Sequence, residues 1–169
     1  GDWAMIRGTT EDLVIEDGDS ITLGDTTLQF YLTPGHTPGV VSIEFGVRDG
    51  DQSYKAFMFG GMGLNFSGVD RTEMYLESVT RVRTMEDIEV NLTNHPGPAR
   101  IFERAALLED RAGGDPHPFV SPDDFSEWMR ELQVNAEEKL VDERRTHGRS
   151  FMEPDDSITA FPTAKILVS

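Results

Sequence analysis

A chain of 169 residues with 37% hydrophobic side chains is of ordinary single-domain size and can bury one core. Its 31 acidic against 15 basic residues give a formal net charge of −16, a field that repels phosphate backbones and anionic lipid and counts against nucleic acid and membrane surfaces as partners. The lack of cysteine excludes disulfides and thiolate chemistry and leaves any metal to His, Asp and Glu, while no apolar run nears the roughly 20 residues that span a bilayer.

The chain opens at Gly1-Asp2-Trp3 without an initiator methionine or a basic-then-apolar secretory pattern, so the expectation is that upstream sequence, with any address signal it held, has been removed. Leu13 to Ile15, Ile21 to Leu23 and Thr27 to Leu32 read as strands of a β-meander, separated by the turns Asp17-Gly18 and Gly24-Asp25. Val40 to Val47 and Tyr54 to Phe59 are two more, joined by Arg48-Asp49-Gly50-Asp51, and Gly60-Gly61-Met62-Gly63 then forces a loop. Asp70 opens a helix in capping-box style, with Glu73 three residues on and Met74, Leu76, Val79 and Val82 as apolar positions. A short strand, Ile88 to Leu92, follows, and then a helical stretch through Ile101, Ala105 and Leu108 that Gly113-Gly114 stops.

Ser121-Pro122-Asp123-Asp124 is a helix start, with a serine cap, proline in the first turn and acids that favour the helix dipole. The helix reaches about His147 and its expected buried stripe is Phe125, Trp128, Met129, Leu132, Ala136, Leu140 and Val141. Glu137, Glu138, Asp142 and Glu143 read as its solvated face. Residues 148–169 form a tail with turn-forming Pro154 and Pro162, whose apolar end, Ile166-Leu167-Val168, is expected to dock as an edge strand. Strands followed by helices on this spacing predict an α/β layer, a mostly antiparallel sheet with helices on one face.

The chemistry centres on two histidines. His36 sits in Thr33-Pro34-Gly35-His36-Thr37-Pro38-Gly39, straight after an apolar strand, where glycines permit unusual backbone angles and prolines stiffen the loop. His95 sits in Asn94-His95-Pro96-Gly97 at the end of another. Two strand-end imidazoles point to one shared metal site, although a histidine that merely hydrogen-bonds a carbonyl in a loop answers to the same pattern. His117 fits a surface turn and His147 a helix C-terminus.

Asp17-Gly18-Asp19 with Leu23-Gly24, Leu32 to Gly39, and Asn94-His95-Pro96 together resemble the C-terminal half of a metallo-β-lactamase-superfamily hydrolase. The likeness is greatest to the third β-lactamase subclass, which has counterparts of Asp2-Trp3 and of Pro118-Phe119-Val120, and it covers about residues 1–147. It implies half of an αβ/βα sandwich with a mixed, mostly antiparallel sheet. It also implies zinc, two ions in the complete site, with His36 matching a histidine of the first zinc and His95 the histidine of the second.

The family's remaining ligands lie in a His-x-His-x-Asp-His motif that this chain lacks. The loop Gly60-Gly61-Met62-Gly63-Leu64-Asn65 resembles one in which the position of Gly61 carries serine or a metal-bridging aspartate. Asn65, with Met62 and Gly61, is the candidate substrate-binding group, an asparagine in such a loop being also a common turn former.

The resemblance implies hydrolysis of a β-lactam or a related cyclic amide or ester by metal-bound hydroxide, with these 169 residues inactive alone and awaiting an N-terminal half or a second chain. Export to the periplasm or beyond is implied by it as well. The alternative is a non-catalytic oligomerising or binding module that kept the fold without its chemistry, and a third reading makes both histidines purely structural.

Overall fold

A computed structural model describes residues 13–146 and the short strand Ala164–Ile166. Asp2-Trp3, His147, Pro154, Pro162, Leu167 and Val168 lie outside the described residues. The elements run β1 (Leu13–Ile15), β2 (Ser20–Leu23), β3 (Thr26–Leu32), β4 (Val41–Asp49), β5 (Gln52–Phe59), α1 (Val69–Arg83), β6 (Val90–Thr93), α2 (Ile101–Glu109), α3 (Pro122–Thr146) and β7 (Ala164–Ile166). Strands β2 to β6 form one sheet in sequence order, antiparallel except for the parallel pair β5 and β6.

The meander begins one strand later than the turn signals predict. β1 pairs with β7, with Leu13 opposite Ile166, and not with β2. The Asp17-Gly18 turn does more than reverse the chain, because the Asp17 carboxylate is spent on the end of β3, accepting the Leu32 N–H at 2.8 Å.

One sheet face carries the helices. Phe57 and Phe59 pack with Tyr75, Val79 and Val82 of α1 and with Phe125, Met129, Leu132 and Ala136 of α3 in one buried cluster. On the opposite face Leu28, Phe30 and Leu32 stand across from Phe45, Ile43 and Val41, and those from Ala56 and Met58. A sheet apolar on both faces is built as an inner layer. Among the described residues no helix is long and apolar enough to cross a membrane.

Two helix expectations need correction. The N-cap of α1 is Gly68, with no side-chain cap of its own. Glu143 of α3 serves that end instead. It is only 7% exposed, it takes the Gly68 N–H at 3.0 Å and the Thr72 hydroxyl at 2.6 Å, and Lys139 pairs with it at 2.7 Å. Burial pushes its carboxyl up, but the Lys139, Thr72 and Gly68 hydrogen bonds together hold it below the ordinary carboxylate range. Glu143 therefore belongs to the buried stripe and Val141, 55% exposed, does not.

Candidate functional site

The strand register decides where the histidines can meet. Leu32 at the end of β3 lies opposite Val41 at the start of β4, Ile43 lies opposite Met58 near the end of β5, and Phe59 lies beside Thr93 at the end of β6. The loops carrying His36, Gly61 to Asn65, and His95 therefore all leave the same rim of the sheet.

His36 reaches from the exit of β3 to the loop after β5. Its Nδ1 lies 2.7 Å from the Gly63 carbonyl oxygen. A carbonyl only accepts, so Nδ1 carries the proton and the neutral ring keeps its lone pair on Nε2. That is how metal-binding imidazoles are commonly prepared, one nitrogen tied to a carbonyl and the other presented.

The glycines make this approach possible. Gly61 has a φ of +63°, and a Cβ there would lie 2.7 Å from the His36 Cβ and 2.9 Å from a Val40 methyl. Its lack of a side chain is thus a steric demand of His36. A Cβ on Gly63 would lie 3.1 Å from the Asn65 Oδ1 and 3.6 Å from the His36 Cε1, so Asn65 and the imidazole flank one point on the rim.

The β5–α1 loop alternates. Met62, Leu64 and Phe66 pack against the core while Asn65 between them is exposed. The Met62 carbonyl accepts the Tyr75 hydroxyl at 2.8 Å. Burial pushes the Tyr75 phenol up, so it stays a protonated donor.

Ser42 stitches the same rim from below. Its Oγ accepts the Gly60 N–H at 3.0 Å and shares a hydrogen bond of 2.7 Å with the Thr33 hydroxyl. The Thr33 side chain thus anchors the residue from which the His36 turn departs.

His95 is exposed on the turn that follows β6, where Ile101 N–H closes onto the Pro96 carbonyl at 2.9 Å and leads into α2. His117 stands elsewhere in role: it opens a turn that Val120 N–H closes onto its carbonyl at 2.9 Å, and its Nδ1 accepts the Phe119 N–H at 3.2 Å.

Among the described residues no group of three or more His, Asp or Glu could hold a metal ion. His36 fits a zinc ligand in its tautomer, but the described donor set falls short of the three protein ligands of a catalytic zinc. Phe66 in the β5–α1 loop, which meets the His36 ring, and Arg71, Tyr75 and Ser78 of α1, which donate to carbonyls of the two loops, escape sequence reasoning. The spacing of the last three on α1 reads as a mixed helix face, and only the contacts of the two loops reveal their use.

No protein-family model matches the chain. Over 70 residues, 41% of the chain, it is 39% identical to the human mitochondrial persulfide dioxygenase ETHE1, covering 25% of that protein. Among solved structures it is similar to BJP-1, a subclass B3 metallo-β-lactamase of Bradyrhizobium japonicum, with a TM-score of 0.68 and 26% identity over 79% of this chain and 52% of that one. It is similar also to the FEZ-1 metallo-β-lactamase of Legionella gormanii, with a TM-score of 0.68 and 24% identity over 80% of this chain and 52% of that one. The chain spans about half the length of those structures and a quarter of the curated relative.

Proposed function

We propose, for a chain that carries part of the metallo-β-lactamase fold, that it supplies one side of a hydrolase centre of that type and acts together with a complementary part. The observation that carries this reading is the His36 imidazole, tied through Nδ1 to the Gly63 carbonyl beside Asn65 on the sheet rim. Zinc is the metal the resemblance implies, with His36 and His95 as this chain's ligands. When bound, it would supply Lewis-acid polarisation of a carbonyl. The chain's own contribution is orientation: an imidazole lone pair on Nε2, an exposed Asn65 amide able to hydrogen-bond a substrate carbonyl or carboxylate, and a rim stiffened by the Thr33, Ser42 and Gly60 hydrogen bonds.

Substrates suited to such a site are cyclic amides or esters, β-lactams among them. The second apolar face of the sheet, with Leu28, Ile43, Phe45 and Met58 only half-buried, is where the complementary layer would pack.

Nitrocefin turnover in the presence of zinc tests the reading. The purified 169 residues should hydrolyse nothing above background, because two imidazoles do not complete a catalytic site. Mixing with a polypeptide that bears a His-x-His-x-Asp-His segment of this fold should restore turnover, and His36→Ala in this chain should abolish it. Robust hydrolysis by the 169 residues alone, or restored turnover indifferent to His36→Ala, overturns it.

One observation favours the second reading, a binding module without catalysis. Helix α2 turns its apolar residues outward, with Phe102 73% and Leu107 61% exposed, while its one buried side chain is the charged Arg104. A helix inverted in this way is suited to contact. Self-association by light scattering, with no turnover under any complement, would select that reading.

A further inference from the structure

Helix α1 presents Arg71, Tyr75, Ser78 and Arg81 at steps of three and four residues, which places them along one face. Every one donates to a main-chain carbonyl of the two site loops or of the strand that feeds them. Arg71 Nε donates to the Gly35 oxygen at 2.9 Å and its terminal nitrogen to the His36 oxygen. Tyr75 donates to Met62 at 2.8 Å, Ser78 to Pro34 at 2.7 Å and Arg81 to Leu32 at 3.3 Å.

Arg71 has the most particular task of the four. In an extended chain successive carbonyls point to opposite sides. Here the carbonyls of Gly35 and His36 converge on one guanidinium. Gly35 is also pressed so close to α1 that a Cβ would lie 2.4 Å from the Tyr75 Cα, so loop and helix meet main chain to main chain. A planar fork can satisfy two fixed acceptors at once, and a lysine ammonium on its flexible stem cannot reproduce that geometry.

Phe66 completes the arrangement. Its ring lies 5.0 Å from the Arg71 guanidinium carbon and 5.3 Å from the Lys139 nitrogen, both in cation–π contact. It also meets the His36 imidazole edge to face, with centroids 6.2 Å apart at 81°. Arg71 therefore holds the His36 main chain while Phe66 holds its ring, and each is held by the other.

We propose that Arg71 and Phe66 are positioning residues for His36, locking its imidazole into the single orientation in which Nδ1 faces Gly63 and Nε2 faces the rim. Their importance for function rests on the reading of His36 given above. The lock itself is a property of this chain and is testable without metal or substrate.

The experiment is a long-range proton–nitrogen correlation spectrum of the 169-residue chain labelled with 15N-histidine, at about pH 8.5 where ordinary imidazoles are neutral. His117 is the internal reference, because its Nδ1 accepts the Phe119 N–H and its ring is held in the opposite tautomer. Unaltered His36 should show a single pattern with the proton on Nδ1. Arg71→Gln and Phe66→Leu should each collapse it toward the averaged pattern of a solvent imidazole while His117 stays unchanged, and Phe66→Tyr, which keeps the ring, should preserve it.

A fixed His36 in both disruptive variants, or an averaged one in the unaltered chain, overturns the proposal. If Arg71→Gln also loses the His117 pattern and so fails to fold, the comparison of Phe66→Leu with Phe66→Tyr decides alone. Nitrocefin turnover answers a separate question. A locked His36 in a chain inert with every complement removes the hydrolase reading and leaves the lock, and turnover with a freely averaging His36 removes the lock alone.

Discussion

At the scale of the residue, Gly61 shows how a missing side chain can be a positive requirement. Read from the sequence, it is a serine or aspartate position left empty. In the fold, the space its Cβ would fill belongs to the His36 Cβ and a Val40 methyl, and its φ of +63° disfavours any L side chain. Gly61→Ala must therefore displace His36 or strain the loop. Denaturant unfolding should show a loss of about 1–3 kcal/mol, the usual cost of a side chain forced into such a backbone region. An unchanged midpoint would mean that the loop relaxes freely and that His36 is not held as described. The turn chemistry around His36 was legible because prolines and glycines act locally. Its tautomer was not, because the deciding carbonyl, Gly63, lies 27 residues along the chain.

At the scale of the element, strands and helices follow the sequence to within a few residues, since alternation, glycine turns and the Ser121-Pro122 start are all local signals. What the local signals missed are the carboxylates that join elements. Glu143 lies in a run of charge that reads as a solvated face, yet the buried steps Met129, Leu132, Ala136 and Leu140 continue by three to Glu143, where the stripe meets the end of α1. Asp17 is the second case, binding the β1–β2 turn to α1 through a two-pronged pair with Arg81 at 2.8 and 2.7 Å, besides the Leu32 N–H. Burial pushes its carboxyl up, and the Arg81 and Leu32 hydrogen bonds more than offset this, so it is held below the ordinary value of 3.8. A carboxyl depressed in the folded state stabilises fully above its unfolded pKa, and that contribution is lost as pH falls through the folded value. Asp17→Asn should thus be less stable than the unaltered chain at about pH 6, with the gap closing below about pH 4. Urea midpoints across that range are the measurement, and a gap that widens in acid would refute the assignment.

At the scale of the whole molecule, the net charge of −16 sets a self-repulsion that no single contact removes. Several ion pairs oppose it, but Arg48–Asp25, Arg130–Glu127 and Arg145–Asp142 are well exposed, and such pairs contribute little. Asp17–Arg81, which joins the β1–β2 turn to α1, and Glu143–Lys139, one turn apart on α3, are at least partly shielded and so are screened less than surface charges. Added sodium chloride should therefore weaken the repulsion more than it weakens the useful pairs. Between about 0.01 M and 0.1 M the screening length falls from about 30 Å to about 10 Å, shorter than the span of the molecule, so distant carboxylates stop opposing one another. The expected result at neutral pH is a Tm that rises by several degrees over that range and then levels. Sodium chloride is the right salt for the measurement, because sulfate would strengthen apolar burial as well and blur the cause. A Tm that falls with salt would show that the ion pairs outweigh the repulsion, and that the acidic surface costs this fold nothing.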